Sequence, residues 1–128
     1  MPDKARYDRG LKKRRKVLGK DYVDRAIASK TAFTSEFQDF ITTYAWGEIW
    51  QRPHFDERTR RVLVIGTTIA LDKWGEFRLH ARAALTEGGF SADDIKEIIL
   101  QQAIYCGVPA ANHAFKEAAE VIASLEKR

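Results

Sequence analysis

The sequence predicts an all-α protein, a compact domain of about five or six helices. Apolar residues recur every three or four positions through most of the chain, as they do along one face of a helix. Helix caps and breakers separate these runs, with Ser91, Gly88-Gly89 and Gly107 as the clearest examples. The β-branched middle of residues 59–71 could form a short buried strand, but no partner strand is predicted elsewhere in the sequence.

The length and composition indicate one domain with a real core. The chain has 128 residues, of which 45% are apolar and 31% charged. No segment approaches the roughly 20 apolar residues that cross a bilayer, and the basic start lacks the apolar stretch of a secretory signal. The single cysteine, Cys106, excludes an internal disulfide or a thiol pair, so we expect a cytoplasmic protein without a membrane partner.

The positive charge is concentrated at the start of the chain. Residues 1–30 contain eleven Lys or Arg against four Asp or Glu, which gives +7, while the whole chain is at +4. We therefore treat residues 1–30 as a basic N-terminal arm or helix of the same domain, whose helical body spans residues 31–128. The run Lys12–Lys16 could contact nucleic acid, but no aromatics interleave it and no helix-turn-helix follows. A solvated arm, or a rim that attracts an anionic small molecule, is favoured.

The first apolar helix is predicted over residues 34–45. Its apolar positions recur at intervals of three and four: Phe33, Phe37, Phe40, Ile41 and Tyr44. Thr34 and Ser35 are available as caps. A short aromatic turn follows over residues 46–53, where Gly47 and Pro53 interrupt the helical pattern.

The next two helices surround a break near Lys73. Asp56 is a good N-cap, and residues 59–71 are apolar almost all round, which predicts a buried central helix. A short buried strand is the alternative for the β-branched middle of this run. The following helix carries Glu76 and His80 and ends at Gly88-Gly89, which suits a left-handed C-cap.

Two further helices complete the chain. Ser91 caps the first of them, with acidic residues in its first turn, and this helix ends near Tyr105 because Gly107 follows. Pro109 sits where the first residue of the last helix is expected. One face of the first helix is marked by Ile95, Ile98, Ile99, Gln102 and Ala103, and the last helix carries Ala110, Ala114, Phe115, Ala118, Val121 and Ile122.

One pair of residues carries a chemical signal. Glu76 and His80 are four residues apart, so a carboxylate and an imidazole share one helix face. Ala83 and Ala84 come next on that face and leave room for a small ligand. Such a pair can act in acid–base chemistry. The alternatives are a structural histidine and an ordinary helical carboxylate paired with Arg82 or Lys73.

Three separated segments resemble one family. Residues 44–50 (YAWGEIW), 76–85 (EFRLHARAAL) and 103–112 (AIYCGVPAAN) resemble the 4-carboxymuconolactone decarboxylases of protocatechuate breakdown. Their superfamily also contains the alkyl hydroperoxidase D proteins. The resemblance covers nearly the whole chain and implies an alkyl hydroperoxidase D-like helical fold that assembles as a homo-oligomer, a trimer or hexamer.

The chain departs from the redox members of that superfamily. Those members carry Cys-x-x-Cys-x-x-x-His, whereas Lys73, Glu76 and His80 stand at this spacing here. Thiol chemistry therefore lacks its nucleophile. A glutamate that the redox members carry on the preceding helix falls near Arg61 in this chain. An alkyl hydroperoxidase D-like oxidoreductase or accessory protein is thus a disfavoured alternative, and a non-enzymatic helical binding protein is another.

The resemblance implies decarboxylation of a lactone carboxylate without a metal or other cofactor. His80 would donate a proton, or a hydrogen bond to the lactone oxygen, and Glu76 would orient and charge it. Arg52 could bind a substrate carboxylate or pair with Glu48. The candidate substrate-binding residues are Trp46, Glu48, Arg52, Arg60, Tyr105 and Asn112. Arg78 and Arg82 are expected to form surface or interface pairs.

Overall fold

A computed structural model describes residues 2–127, and all regular structure within them is helical. The seven α-helices are α1 (Pro2–Leu18), α2 (Lys20–Ala28), α3 (Ser35–Phe40), α4 (Glu57–Ala70), α5 (Trp74–Thr86), α6 (Ala92–Tyr105) and α7 (Val108–Glu126). The all-α prediction is confirmed. The predicted number of helices was low because the basic segment forms two helices, separated at Gly19, whose φ is 99°. None of the described helices is long and apolar enough to span a membrane.

The chain divides into two compact units, one through Glu57 and one from Arg58. In the first unit, α1 packs against a π-helical turn at Ile41–Trp46. A Cβ on Gly10 would lie 1.9 Å from the carbonyl oxygen of Thr42, and one on Gly47 would lie 2.3 Å from that of Arg6. Because the two backbones touch at both points, only glycine fits at either position.

The basic run belongs to this packing. Arg14 is buried and donates hydrogen bonds to the side chains of Gln38 and Thr42, each at 3.1 Å. Lys13 binds Glu57 at 2.5 Å, and Arg15 binds Asp24 at 2.8 Å. The expectation of a solvated arm is therefore wrong for these three cations, which stabilise the first unit instead.

The aromatic segment is helical, as predicted, but its apolar face is exposed. The exposed rings are those of Phe33, Phe37, Phe40 and Tyr44. The buried side chains are Thr42, Thr43 and Trp46, because the amide of Gly47 bonds the carbonyl of Thr42 five residues back, at 2.9 Å. This wide turn changes the register of the helix, so the face that regular spacing predicts is not the buried one. Thr34 is the N-cap residue of α3, without a capping hydrogen bond from its side chain.

In the second unit, α4 follows Asp56 directly and is a helix, not a strand. Its buried face contains Arg61, Ile65, Thr68 and Ile69. Val62, Leu63 and Leu71 are exposed. The prediction that this segment is buried all round is therefore wrong, since only one face of α4 contacts the core.

The boundaries of the last helices follow the sequence signals. Gly89 has a φ of 71° after α5. Ser91 and Asp94 form a capping box, with the Ser91 hydroxyl accepting from the Asp94 amide at 3.2 Å. Pro109 is the second residue of α7, not the first. The core of this unit comprises Ile65, Ile69, Phe77, Ala81, Ala84, Phe90, Ile95, Ile98, Ile99, Ala111, Ala114 and Ala118.

Candidate active site

His80 lies at the edge of the core on α5. The inner face of this helix is formed by Phe77, Ala81 and Ala84, so the imidazole, four residues before Ala84, is also drawn inward. His80 is 8% exposed. Ala83 and Ala84 are fully packed. The prediction that these alanines leave room for a ligand is wrong, because other core side chains fill the space beside them.

Glu76 and His80 are neighbours but are not hydrogen-bonded. The distance from Nε2 of His80 to Oε2 of Glu76 is 3.9 Å, and the Glu76 side chain is 63% exposed. The other ring nitrogen of His80, Nδ1, is buried without a hydrogen-bond partner among the described residues. Glu76 therefore provides at most a weak, solvent-screened attraction to the imidazole.

Burial, followed by the positive charge of Arg61, lowers the pKa of His80 from 6.5 to about 4. The imidazole is consequently neutral near pH 7, which does not agree with the expectation that Glu76 charges it. A neutral imidazole can still donate a hydrogen bond, but it is a poor source of a proton.

Arg61 was not among the predicted site residues. It lies on α4 and is 3% exposed. A sequence signal was present, because the spacing of Arg61, Ile65 and Thr68 places the arginine on the buried face of the helix. A charged residue at such a position is rarely fully buried without a specific role or partner.

The remaining candidates of the second unit lie in different surroundings. Arg60 precedes Arg61 on α4 and is half-buried. Tyr105, the last residue of α6, is 77% exposed, and Asn112 on α7 is also exposed. Because both side chains are exposed, they do not contribute to the core.

The candidates of the first unit surround the 3₁₀ turn Ile49–Gln51. Trp46 is buried and stacks on Trp50, with their ring centroids 4.8 Å apart. Glu48 binds Arg6 at 3.0 Å. Arg52 directly follows the turn and is exposed. In this arrangement, Trp46 and Glu48 have structural contacts within the first unit.

The surface pairs expected on α5 are present. Arg78 binds Glu117 at 2.5 Å and Glu120 at 3.0 Å, and Arg82 donates to the hydroxyl of Ser124 at 2.6 Å. These contacts attach α5 to α7. They also show that Arg82 does not pair with Glu76 in this structure.

The second unit also contains an open groove of about 700 Å³. Side chains of α4 and α6 form most of its walls, including Val62, Leu63, Leu71 and Ile98. No predicted site residue lines it. Residues 2–127 include no cluster of three or more His, Cys, Asp or Glu arranged to hold a metal ion.

The fold and the site define an all-helical protein with a buried imidazole on α5, a helix that contains no cysteine. Residues 35–120 match the Carboxymuconolactone decarboxylase family. A 4-carboxymuconolactone decarboxylase of Acinetobacter baylyi is 40% identical over 125 residues, which cover 98% of this chain and 92% of that protein. This chain belongs to the carboxymuconolactone decarboxylase family.

Two further relatives differ in name and in coverage. A nitrosuccinic acid decarboxylase of Metarhizium robertsii is 41% identical over 104 residues, 81% of this chain and 72% of that protein. A 4-carboxymuconolactone decarboxylase of Pseudomonas putida is 46% identical over 48 residues, 38% of this chain and 100% of that sequence. All three relatives are decarboxylases by name.

Proposed function

We propose that this chain decarboxylates 4-carboxymuconolactone to the enol-lactone of 3-oxoadipate, a step of protocatechuate catabolism. The observation that carries the proposal is its 40% identity to a protein of that name over nearly the full length of both chains. The absence of a thiol pair beside His80 agrees with a reaction that is not a thiol–disulfide exchange.

The chemistry of this substrate requires no cofactor. The ring carbon that loses carbon dioxide leaves its electron pair in conjugation with the ring alkene and the lactone carbonyl. A dienolate forms, and protonation next to the carbonyl gives the product. The protein must bind the retained carboxylate, stabilise the charge on the lactone oxygen and allow a proton to reach carbon.

The structure favours one of the two predicted roles of His80. Because burial and Arg61 keep the imidazole neutral, we infer that His80 donates a hydrogen bond to the lactone oxygen and does not serve as the proton source. Arg52 and Arg60 are our candidates for the retained carboxylate, since a guanidinium can bind it through two parallel hydrogen bonds. Roles for Glu76, Trp46, Glu48, Tyr105 and Asn112 stay predictions.

A second substrate follows from the fungal relative, which is named for nitrosuccinic acid. Chemically, loss of the carboxylate beside a nitro group leaves an electron pair that the nitro group accepts. Both substrates thus combine a departing carboxylate, an adjacent electron acceptor and a second carboxylate. We propose nitrosuccinate as the alternative substrate of the same site.

The test is carbon dioxide release in metal-free buffer with each substrate, followed in parallel by ultraviolet absorbance. Wild type is compared with His80→Ala and with His54→Ala, a control whose ring lies in an exposed loop. We expect turnover by wild type and the control, and its loss in folded His80→Ala. Turnover retained by His80→Ala would remove His80 from the mechanism. No turnover of either substrate by folded wild type would refute the proposed function.

We also propose that the chain works in the cytoplasm as a homo-oligomer, a trimer or hexamer. Support comes from its exposed apolar side chains, above all Phe33, which is 95% exposed, and Phe37 and Phe40 on α3. Light scattering after size exclusion should give a multiple of 14.6 kDa. Phe37→Ser should weaken assembly more than Glu36→Ser on the same helix. A monomeric wild type at micromolar concentration would overturn this proposal.

A further inference from the structure

The groove between α4 and α6, here called the α4–α6 groove, is an open apolar trough in the second unit. Its walls include Val62, Leu63 and Leu71 along α4 and its end, and Ile98 on α6. The three side chains from the α4 side are exposed, although they are apolar. The lining extends from Arg58 to Leu71, which is about 20 Å at the rise of a helix. The trough is therefore long enough to take a segment of polypeptide.

The polar side chains on the floor of the groove have partners within the chain. The amide nitrogen of Gln102 donates to the carbonyl of Gly66 at 3.1 Å and to Sγ of Cys106 at 3.5 Å. The hydroxyl of Thr67 donates to the carbonyl of Leu63 at 2.7 Å. Apolar side chains that enter the groove thus leave none of these donors without a partner. The groove favours an occupant that contributes apolar surface.

The first unit carries an aromatic stripe, whose four exposed rings recur at intervals of four, three and four residues: Phe33, Phe37, Phe40 and Tyr44. The amide of Ser35 bonds the carbonyl of Thr31 at 2.8 Å, so the helical turn already includes Phe33. The rings of Phe40 and Tyr44 are 5.3 Å apart. The stripe therefore follows one face over about 16 Å, a length that the groove can accommodate.

The exposed area of the stripe is large enough for a specific contact. Phe33 is 95% exposed, and the other three residues are between 42% and 60% exposed. At about 200 Å² per aromatic side chain, the stripe leaves about 500 Å² in solvent. A surface that covers the stripe loses a comparable area, so one contact would bury about 1,000 Å², the size from which specific interfaces begin. Anchors at this spacing are also those by which a helix docks into an apolar groove.

We propose that the aromatic stripe of one copy inserts into the α4–α6 groove of the next copy, so that the copies join head to tail. The inference rests on the proposed homo-oligomer and names the two surfaces that form it. Because the surfaces differ, the contact is heterologous, and such contacts close into a ring when the rotation between copies permits. Three copies then form a trimer of three times 14.6 kDa, and a hexamer requires a second, different contact between two rings.

The test mixes two variants that are each defective on one surface. Phe37→Asp places a carboxylate in the stripe and leaves the groove intact, whereas Leu63→Asp places one in the groove and leaves the stripe intact. Both side chains are more than half exposed, so little core packing is lost. We expect each variant alone to lose the ring in size exclusion with light scattering. The 1:1 mixture should form an assembly larger than either variant forms alone.

A second mixture is the matched control. It combines Phe37→Asp with Phe40→Asp, two stripe variants, so that no intact stripe remains, and it should gain no mass on mixing. Native mass spectrometry with one variant labelled with ¹⁵N identifies which copies each assembly contains. Equal behaviour of the two mixtures would overturn the proposal. So would a Leu63→Asp variant that assembles like wild type, the result expected if the groove holds a small apolar molecule or another protein.

Two precautions separate the possible failures. If Phe37→Asp does not fold, as judged by circular dichroism, Phe33→Asp replaces it, because Phe33 is almost fully exposed and precedes α3. If wild type is monomeric at micromolar concentration, the proposed homo-oligomer fails, and this inference fails with it. If wild type and both single variants assemble alike, the homo-oligomer stands and only the contact between stripe and groove is refuted.

Discussion

Replacing His80 with glutamine removes a buried base whose protonation opposes folding. The pKa of His80 is lowered from 6.5 to about 4 in the folded protein. Between these two values the unfolded chain binds the proton and the folded chain does not, so wild-type stability falls as the pH falls. Wild type therefore keeps its full free energy of unfolding above pH 6.5, and the part that depends on a neutral His80 is lost as the pH falls toward 4.

The magnitude follows from the linkage between protonation and folding. Each unit by which the pH falls within this window lowers the free energy of unfolding of wild type by about 1.4 kcal/mol. From pH 7.5 to pH 4.5, wild type should therefore lose about 2.5 kcal/mol more of its free energy of unfolding than His80→Gln does. The difference between the proteins is the useful quantity. Carboxyl groups with lowered pKa values, such as those of Asp94 and Glu117, destabilise both proteins in acid.

The assay is urea denaturation followed by circular dichroism at half-unit pH intervals and fixed protein concentration. His54→Gln is the matched control, since its ring is exposed, and its stability should follow the wild-type curve. A difference between wild type and His80→Gln that stays constant across the pH range would refute the reasoning. In that case the imidazole would be solvated or paired in the folded state.

Three further predictions concern the framework. Gly10→Ala should lower the free energy of unfolding by about 2 kcal/mol or more, because its Cβ would overlap the Thr42 carbonyl. Gly75→Ala, whose Cβ meets nothing within 4 Å on α5, should instead raise it by about 0.5 to 1 kcal/mol. Ser91→Ala should cost about 1 kcal/mol through loss of the capping box with Asp94. Thermal unfolding of the three variants checks all signs, and a destabilised Gly75→Ala or an unaffected Gly10→Ala would contradict the packing described above.

Local signals in the sequence predicted the helix boundaries well. Ser91 and Gly107 act through their own backbone and nearest neighbours, so their effect on helix ends can be read without knowledge of tertiary structure. The same holds for the surface pairs of Arg78, which are typical of a charged residue on an outer helix face.

Burial was harder to predict, because it depends on which face each helix turns inward. Phe37 and Leu63 follow regular apolar spacing but are exposed. Arg61, by contrast, is charged and buried.

The site could be predicted only in part for the same reason. The spacing of Glu76 and His80 established that they are neighbours on one face. Only the tertiary structure reveals that burial, followed by the charge of Arg61 and not that of Glu76, lowers the pKa of the imidazole.

The π-helical turn at Ile41–Trp46 has a consequence for the tolerance of this segment to insertions and deletions. A π turn amounts to one additional residue inside an otherwise regular helix. Because the wide turn already absorbs that residue, inserting one more residue between positions 41 and 46 would rotate everything after the insertion by about 100° about the helix axis. Trp46 would then leave its buried position, and Gly47 would no longer face α1. The length of this segment is therefore constrained as strictly as its composition, in contrast to an ordinary surface helix.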